Sequence, residues 1–456
     1  MKTSTVDINE ITGGFRLDSP YYLSEGRRAN RIIKNYINAG NKSVLLGDEK
    51  LISIWQPNRN TLVYGGEGET TVPYLQPYDI LEYLPTSRSD ISSHQNDIES
   101  LRVKAGTLLL TCSGRNLGPL VIADEYIEQF VFGSDLIRME ISDDSLKYYI
   151  FTFLSTWIGQ ALLHSNKTGS VIDHLSKKDV AALLIPLLDE KCFSTISQTM
   201  QKSYELYASA RKSLNESQKK FNKIVGIERA SKKLCKGWGI GFNDLFNANR
   251  LDAAFFDPYT AKAAKDLEAV GGIRLKCVAD VIKPSGRYKT TYVEKEYGKP
   301  LISGRQLLQD QIVGLKYLPS NREKLYKEFV LLDNTIAFPA DGRVEGRLGT
   351  PTFITASRAG WFASGHIERI IPHNNINPGY IYLAFSHPAV QAQIYSVACG
   401  SVVDAVYSND VENVVIPPMI EFDYDTVVLA WKQIDIAKEL KEKACSIITE
   451  ELTQFD

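Results

Sequence analysis

Paired cysteines, long apolar runs and catalytic signatures are all missing from this sequence of 456 residues. Its six cysteines, at positions 112, 192, 235, 277, 399 and 445, stand apart, and none forms a CxxC pair. That spacing suits neither a disulfide scaffold nor a zinc site, so a reduced cytoplasm is the expected compartment. No apolar run approaches the length of a membrane span, and the opening MKTSTVDINEITGG lacks the apolar stretch of a secretion signal. No membrane partner is expected. Neither GxGxxG after a strand nor GxxxxGK[ST] occurs, which excludes the usual dinucleotide and P-loop nucleotide sites. HExxH and GxSxG are absent too. Of the six histidines, His366 and His373 are seven apart with no third ligand close by, so structural roles are expected and no metal. The carboxylates form no clear paired set. No catalytic and no cofactor-binding residue is expected in this chain.

An excess of either charge is also missing. The formal net charge is -2 and the pI about 6.4. Phosphate binding wants positive surface, so the bulk balance counts mildly against nucleic acid. A balance near zero still permits separate basic and acidic faces.

What is present is a long repeat. Arg16-Leu17-Asp18 returns 234 residues later as Arg250-Leu251-Asp252. The phrase GSVIDHLSKKDVAALLIP, Gly169 to Pro186, returns 231 residues later as GSVVDAVYSNDVENVVIPP, Gly400 to Pro418. The order between them repeats as well. A short helix is expected at Arg28 to Gly40 and at Ala261 to Gly272. Strand-like stretches follow at Leu101 to Thr111 and Glu328 to Pro339, then Gly-Arg loops at Ser113 to Gly118 and Asp341 to Gly346. Aromatic-rich helices follow at Leu146 to Ser165 and Pro378 to Gly400. A period this long means two copies of one domain rather than a solenoid. Asn377-Pro378-Gly379-Tyr380 superficially resembles a methyltransferase NPPY, but with no donor-binding glycine loop it reads as a helix start with proline in the first turn.

Two long helices break the pattern, one from about Asp189 to Val225 and one from about Tyr424 to Leu452. Met200, Ser203, Tyr207, Ala210, Leu214, Ser217, Phe221 and Ile224 are spaced alternately three and four apart, the spacing of a coiled-coil seam. Val427, Trp431, Ile434, Ala437, Ala444 and Ile448 form the second stripe. Neither helix can bury its stripe alone, and antiparallel pairing is the economical solution. Helix-pairing roles are expected for Met200, Tyr207, Leu214, Phe221, Val427, Trp431, Ile434 and Ile448. At 1.5 Å per residue the helices span roughly 55 and 45 Å, more than the roughly 34 Å of one DNA turn.

The loops carry the basic residues that suit phosphates and base edges: Arg59, Arg88, Lys104 and Arg115 in the first half, and Arg287, Lys289, Arg305, Arg343, Arg347 and Arg358 in the second. Tyr288 interleaves with the pair Arg287 and Lys289. A surface role is the competing reading for each, and the repeated Arg-Leu-Asp is expected to be an internal ion pair or cap.

On these features the sequence resembles the specificity subunit, HsdS, of type I restriction-modification systems. The resemblance rests on the two ordered sets of phrases and on the paired helices, and covers nearly the whole chain. TTVPYLQPYDI at Thr70 to Ile80 and KPLISGRQLL at Lys299 to Leu308 add to it. The family usually opens its long helix with Gln after the proline phrase, and PLLDEKCFSTIS and PPMIEFDYDTVV lack it. The resemblance implies duplicated α/β (α+β-like) target recognition domains joined by two long antiparallel helices forming a coiled-coil spacer. The implied divisions are 1–188, first recognition domain; 189–226, first spacer helix; 227–246, linker; 247–418, second recognition domain; and 419–456, second spacer helix. It implies a non-catalytic subunit that binds a split double-stranded DNA target. Its partners would be two adenine-specific methyltransferase subunits and a translocating restriction subunit. S-adenosylmethionine, ATP and Mg2+ would belong to those partners. A type II-like complex with the same subunit plan, and a scaffold that does not bind DNA, are the alternatives.

Overall fold

A computed structural model describes residues 24–59, 61–66, 68–114, 117–165, 174–227, 237–248, 250–283, 290–322, 326–343, 346–400 and 402–456. They fall into two compact units. Unit 1 is drawn from residues 1–208 and 436–456, and unit 2 from residues 209–435. No described helix is long and apolar enough to cross a membrane.

Unit 1 opens with α1 (Glu25–Asn38), where Ser24 accepts a hydrogen bond from the Arg27 N–H. Ala29, Ile32, Ile33 and Tyr36 recur at helical spacing and are buried together, and Gly40 ends the segment with φ +85. Strand β1 (Ser43–Leu45) pairs antiparallel with β8 (Leu184–Pro186). Between them lie β2 (Ile52–Trp55), β3 (Tyr74–Leu75), β4 (Leu108–Thr111), β5 (Leu120–Ile122), β6 (Val131–Phe132) and β7 (Leu136–Ile141). Four of these form an antiparallel sheet in the order β2-β7-β4-β5, and β3 runs parallel to β6. Helices α2 (Asp144–Ser155), α3 (Trp157–Ser165) and α4 (Lys177–Ala181) complete the globular part.

Unit 2 has the same plan. After α6 (Pro258–Ala269) come β9 (Ile273–Arg274), β10 (Ala279–Ile282), β11 (Gly298–Ile302), β12 (Thr335–Pro339), β13 (Thr352–Ile354), β14 (Phe362–Ala363) and β15 (Ile367–Pro372). Its antiparallel sheet has the order β10-β15-β12-β13, and β11 runs parallel to β14. Helices α7 (Pro378–Ser386), α8 (Pro388–Val397) and α9 (Ser408–Glu412) lead to β16 (Val415–Ile416), which pairs with β9.

The sequence repeat is a structural repeat down to single bonds. Gln160 Nε2 donates to the Gly118 carbonyl at 2.9 Å and the Leu154 carbonyl at 2.7 Å. Gln391, 231 positions later, donates to the Gly349 and Phe385 carbonyls at 3.1 and 2.8 Å. Tyr149 Oη donates to the Pro186 carbonyl at 2.8 Å, and Tyr380 Oη to the Pro417 carbonyl at 2.6 Å. These bonds explain the repeated proline phrase. It returns the chain to the first strand of its unit and supplies carbonyls to a buried tyrosine.

Two long helices, α5 (Glu190–Val225) and α10 (Asp425–Thr453), each contribute to both units. Within unit 1 they run antiparallel. Ser203 Oγ meets the Ala437 carbonyl, while Ile196 and Met200 share a core with Ala444, Ile448 and Leu452. Within unit 2, Phe221 lies edge-on to Phe422 and Tyr424, at the start of α10. Met200, Leu214, Phe221, Val427, Trp431, Ile434 and Ile448 are buried, and Tyr207 is half-buried. Acidic caps open both helices. Asp189 accepts from the N–H groups of Lys191 and Cys192, and Asp423 from the N–H and hydroxyl of Thr426. Those bonds hold both carboxyls below the usual carboxylate range.

Three expectations are corrected. The single helices expected at Leu146 to Ser165 and Pro378 to Gly400 are each broken in two. Thr156 caps α3 through the Gly159 N–H at 3.1 Å, and Pro388 at the start of α8 has no N–H to continue the preceding ladder. The strands expected at Leu101 to Thr111 and Glu328 to Pro339 are short. Turns at Gly106 and Asn334, with φ +90 and +56, confine them to Leu108–Thr111 and Thr335–Pro339. The seam of α5 ends on Val225 rather than Ile224, which is exposed. A helix turning every 3.6 residues drifts out of a strict 3.5 repeat.

Candidate nucleic-acid interface

The two units place different polar side chains at one shared station, at the end of the four-stranded sheet. The station is set by backbone. In unit 1 the Leu175 N–H donates to the Cys112 carbonyl, and Ser113 bridges His174. In unit 2 the Val406 N–H donates to the Ala340 carbonyl, and Asp341 pairs with Ala405. The strand register extends the match. Leu136 faces Thr111 as Ile367 faces Pro339, which makes Asp135 the counterpart of His366.

Around that frame unit 1 gathers Ser113, Asp135, His174 and Arg59. Ser113 Oγ donates to Asp135 Oδ1 at 2.9 Å and lies 2.8 Å from His174 Nδ1. The same carboxylate oxygen accepts from Arg59 Nη2 at 3.2 Å, and the Arg59 side chain is 70% exposed. Gln56 stands behind, donating to the Ser134 carbonyl.

Unit 2 gathers Asp341, His366, Lys283 and Glu368. Asp341 Oδ2 is hydrogen-bonded to His366 Nδ1, and the imidazole is 51% exposed. Lys283 Nζ lies 3.6 Å from Glu368 Oε1 and 4.0 Å from Asp341 Oδ1. It also lies 5.3 Å from the centre of the Tyr407 ring. Glu368 is fully buried with no well-formed hydrogen bond to either carboxylate oxygen. Burial pushes its carboxyl up to about 7, against the pull of Lys283 and Ser408.

The basic residues expected from sequence divide among several places. Arg59 is at the unit 1 station. Lys104, Arg305 and Arg343 are exposed, and Arg347 is half-buried. Arg343 follows the strand that carries Asp341. Arg88 is exposed as a residue and lies 3.3 Å from Asp79 and 3.6 Å from Glu82, both buried. Arg358 is a correction. It lies in the interior, where its guanidinium donates to the Leu307 and Gln309 carbonyls, so it braces its own unit. Arg115, Arg287, Tyr288 and Lys289 lie outside the described residues, as do Arg16 to Asp18 and Gly169 to Asp173.

The second Arg-Leu-Asp forms an ion pair within itself. Arg250 forks onto Asp252 at 2.8 and 2.7 Å and donates to the Val397 carbonyl at 3.0 Å. The guanidinium holds the Asp252 carboxyl below its usual range. Asn377 caps α7 through the Gly379 N–H at 2.8 Å, with Pro378 in the first turn. His373 pairs with Asp280 at 3.2 Å, away from His366. Among the described residues no group of three or more His, Cys, Asp or Glu could hold a metal.

Loop arginines drew attention by residue type. The residues around them at the station, Ser113, Asp135, His174, Lys283, Asp341, His366 and Glu368, did not. The available signal was the repeat itself, because aligned copies keep the frame here and change the side chains.

No protein-family model matches the chain, and no curated protein matches it. Among the solved structures to which the chain is similar, three are similar over most of its length. The S subunit of the type I restriction-modification system from M. genitalium has 12% identity and a TM-score of 0.30, covering 91% of this chain and 92% of that one. The HsdS subunit from Thermoanaerobacter tengcongensis has 13% identity and a TM-score of 0.26, covering 90% and 96%. A chain described under "Structural basis underlying complex assembly and conformational transition of the type I R-M system" has 13% identity and a TM-score of 0.26, covering 90% and 97%.

Proposed function

We propose that this chain is the DNA-specificity subunit of a restriction-modification complex and has no catalysis of its own. Each unit reads one half of a split double-stranded target. The chain directs two adenine-specific methyltransferase subunits, and a translocating restriction subunit, to that target. S-adenosylmethionine, ATP and Mg2+ serve those partners. The domain divisions are those of the sequence: recognition over residues 1–188 and 247–418, spacing over 189–226 and 419–456. The observation that carries this reading is the repeated frame with unlike polar stations. A reader of two different half-sites needs one posture on DNA and two sets of side chains. The long helices fit the remaining requirement, a fixed number of unread base pairs between the halves. A net charge near zero fits a chain that shares the phosphate grip with its partners.

The test is to isolate the full chain from its own cells with its copurifying subunits and map the adenines those cells methylate. A two-part motif, lost when the gene is deleted, is the expected result. An undivided motif, or methylation unchanged by the deletion, overturns the reading. Retention of every partner with no duplex selected supports the scaffold instead.

A further inference from the structure

The geometry points to opposite hydrogen-bond polarity at the two stations: Arg59 in unit 1 reads guanine, and His366 in unit 2 reads the exocyclic amino group of adenine or cytosine. This inference rests on the proposed role in DNA recognition and assigns residues and base classes within it.

In unit 1, Asp135 Oδ1 takes hydrogen bonds from Ser113 and from Arg59 Nη2. The serine fixes the carboxylate, and the carboxylate steadies one edge of the guanidinium. The Arg59 side chain is 70% exposed. A planar fork held from behind presents paired donors, and guanine O6 and N7 are the paired acceptors of the major groove. Ser113 and Asp135 are positioning residues here.

In unit 2 the corresponding pair is Asp341 and His366. The carboxylate is hydrogen-bonded to Nδ1; in the tautomer with the proton on that nitrogen, Nε2 is left as an acceptor. That acceptor sits on a half-exposed ring at the position that Asp135 holds in unit 1. An acceptor pairs with the amino groups of adenine N6 or cytosine N4, which are the donors of the major groove. Glu368 adds an independent sign that this end of the sheet is built for something other than stability. It is a buried carboxylate without a well-formed hydrogen bond, directed at the cation that also faces Asp341.

The experiment uses the full chain with its copurifying subunits and a random-sequence duplex library. Three proteins are compared: the unaltered chain, Arg59→Lys, which keeps the charge and loses the fork, and His366→Ala. Arg59→Lys is expected to lose about tenfold or more preference at one guanine in one half-site only. His366→Ala is expected to lose a similar preference at one adenine or cytosine in the other half-site. A duplex in which that base lacks its amino group should bind His366→Ala as well as the complete site does. Both side chains are exposed, and Arg59→Gln and His366→Gln provide second variants should either fold poorly. A motif left intact by all four variants, or altered in the same half by both positions, overturns the inference and leaves the proposed function standing. An unaltered complex that selects no sequence overturns both.

Discussion

Glu368 stands in unit 2 where Ile137 stands in unit 1. The register makes the match, since Ile137 faces Leu110 across its sheet and Glu368 faces Phe338 across the other. Both are fully buried. One fold therefore accepts either an isoleucine or a carboxylate at the same core position, and the carboxylate is the costly choice.

Glu368→Ile is accordingly expected to stabilise unit 2. Removing a buried, poorly satisfied carboxylate relieves its desolvation cost, about 1–3 kcal/mol. Lys283 keeps Asp341 within 4.0 Å and has a partly exposed side chain, so the variant does not strand it. Denaturant unfolding at pH 8, followed through unit 2 tryptophans such as Trp361 and Trp431, measures the change. A loss of stability would show that the carboxylate is better satisfied than its geometry indicates.

Two buried groups contribute to the pH dependence of unit 2 with opposite signs. Burial raises Glu368 from 4.5 to about 7. Its contribution is fully present below the unfolded value of 4.5 and is lost as pH rises through 7. Burial lowers His387 from 6.5 to about 4. Its contribution is fully present above 6.5 and is lost as pH falls through 4. Between pH 4.5 and 6.5 the two slopes oppose each other. Glu368→Gln removes one of them. The variant should lose stability on acidification from pH 6.5 to 4.5 more steeply than the unaltered protein, measured by denaturant midpoints. Parallel pH profiles would count against the assignment.

How much of this was legible in sequence can be judged from particular residues. The long helices were, to within a residue or two at their ends, because a seam and a terminal Gly226 are local signals. The duplication was too, because Tyr149 and Tyr380 need the same proline phrase and so keep it in both copies. The stations were not. Arg59, Ser113, Asp135 and His174 are spread over more than a hundred residues and meet only through the sheet. Burial was equally invisible. Arg358 has the composition of a basic loop, and Arg138 and Arg369 lie on sheet strands, yet all three are buried and donate to backbone carbonyls.

The two tyrosines should differ in cost when their hydroxyls are removed. Tyr380→Phe loses one bond, to the Pro417 carbonyl, for about 1 kcal/mol. Tyr149→Phe loses the bond to Pro186 and also the acceptor for the buried Leu188 N–H at 3.2 Å. Stranding that second group adds about 1–3 kcal/mol. Thermal unfolding of the two variants should therefore place Tyr149→Phe below Tyr380→Phe. Equal losses would mean that Leu188 finds another acceptor.

The helices α5 and α10 provide the test of spacing. Under the proposed function their length sets the unread gap between half-sites, while the stations set the half-sites themselves. Removing seven residues from each helix, in register, keeps Met200, Leu214, Val427 and Ile448 on their seams and shortens each helix by about 10 Å. At about 3.4 Å per base pair, the selected gap should shrink by roughly three base pairs. Both half-sites should keep their sequences, because no station residue is touched. The motif selected from a random duplex library by the complex reads both quantities at once. An unchanged gap with intact half-sites would remove the helices from the role of spacer, and a changed half-site would mean that the stations depend on helix length.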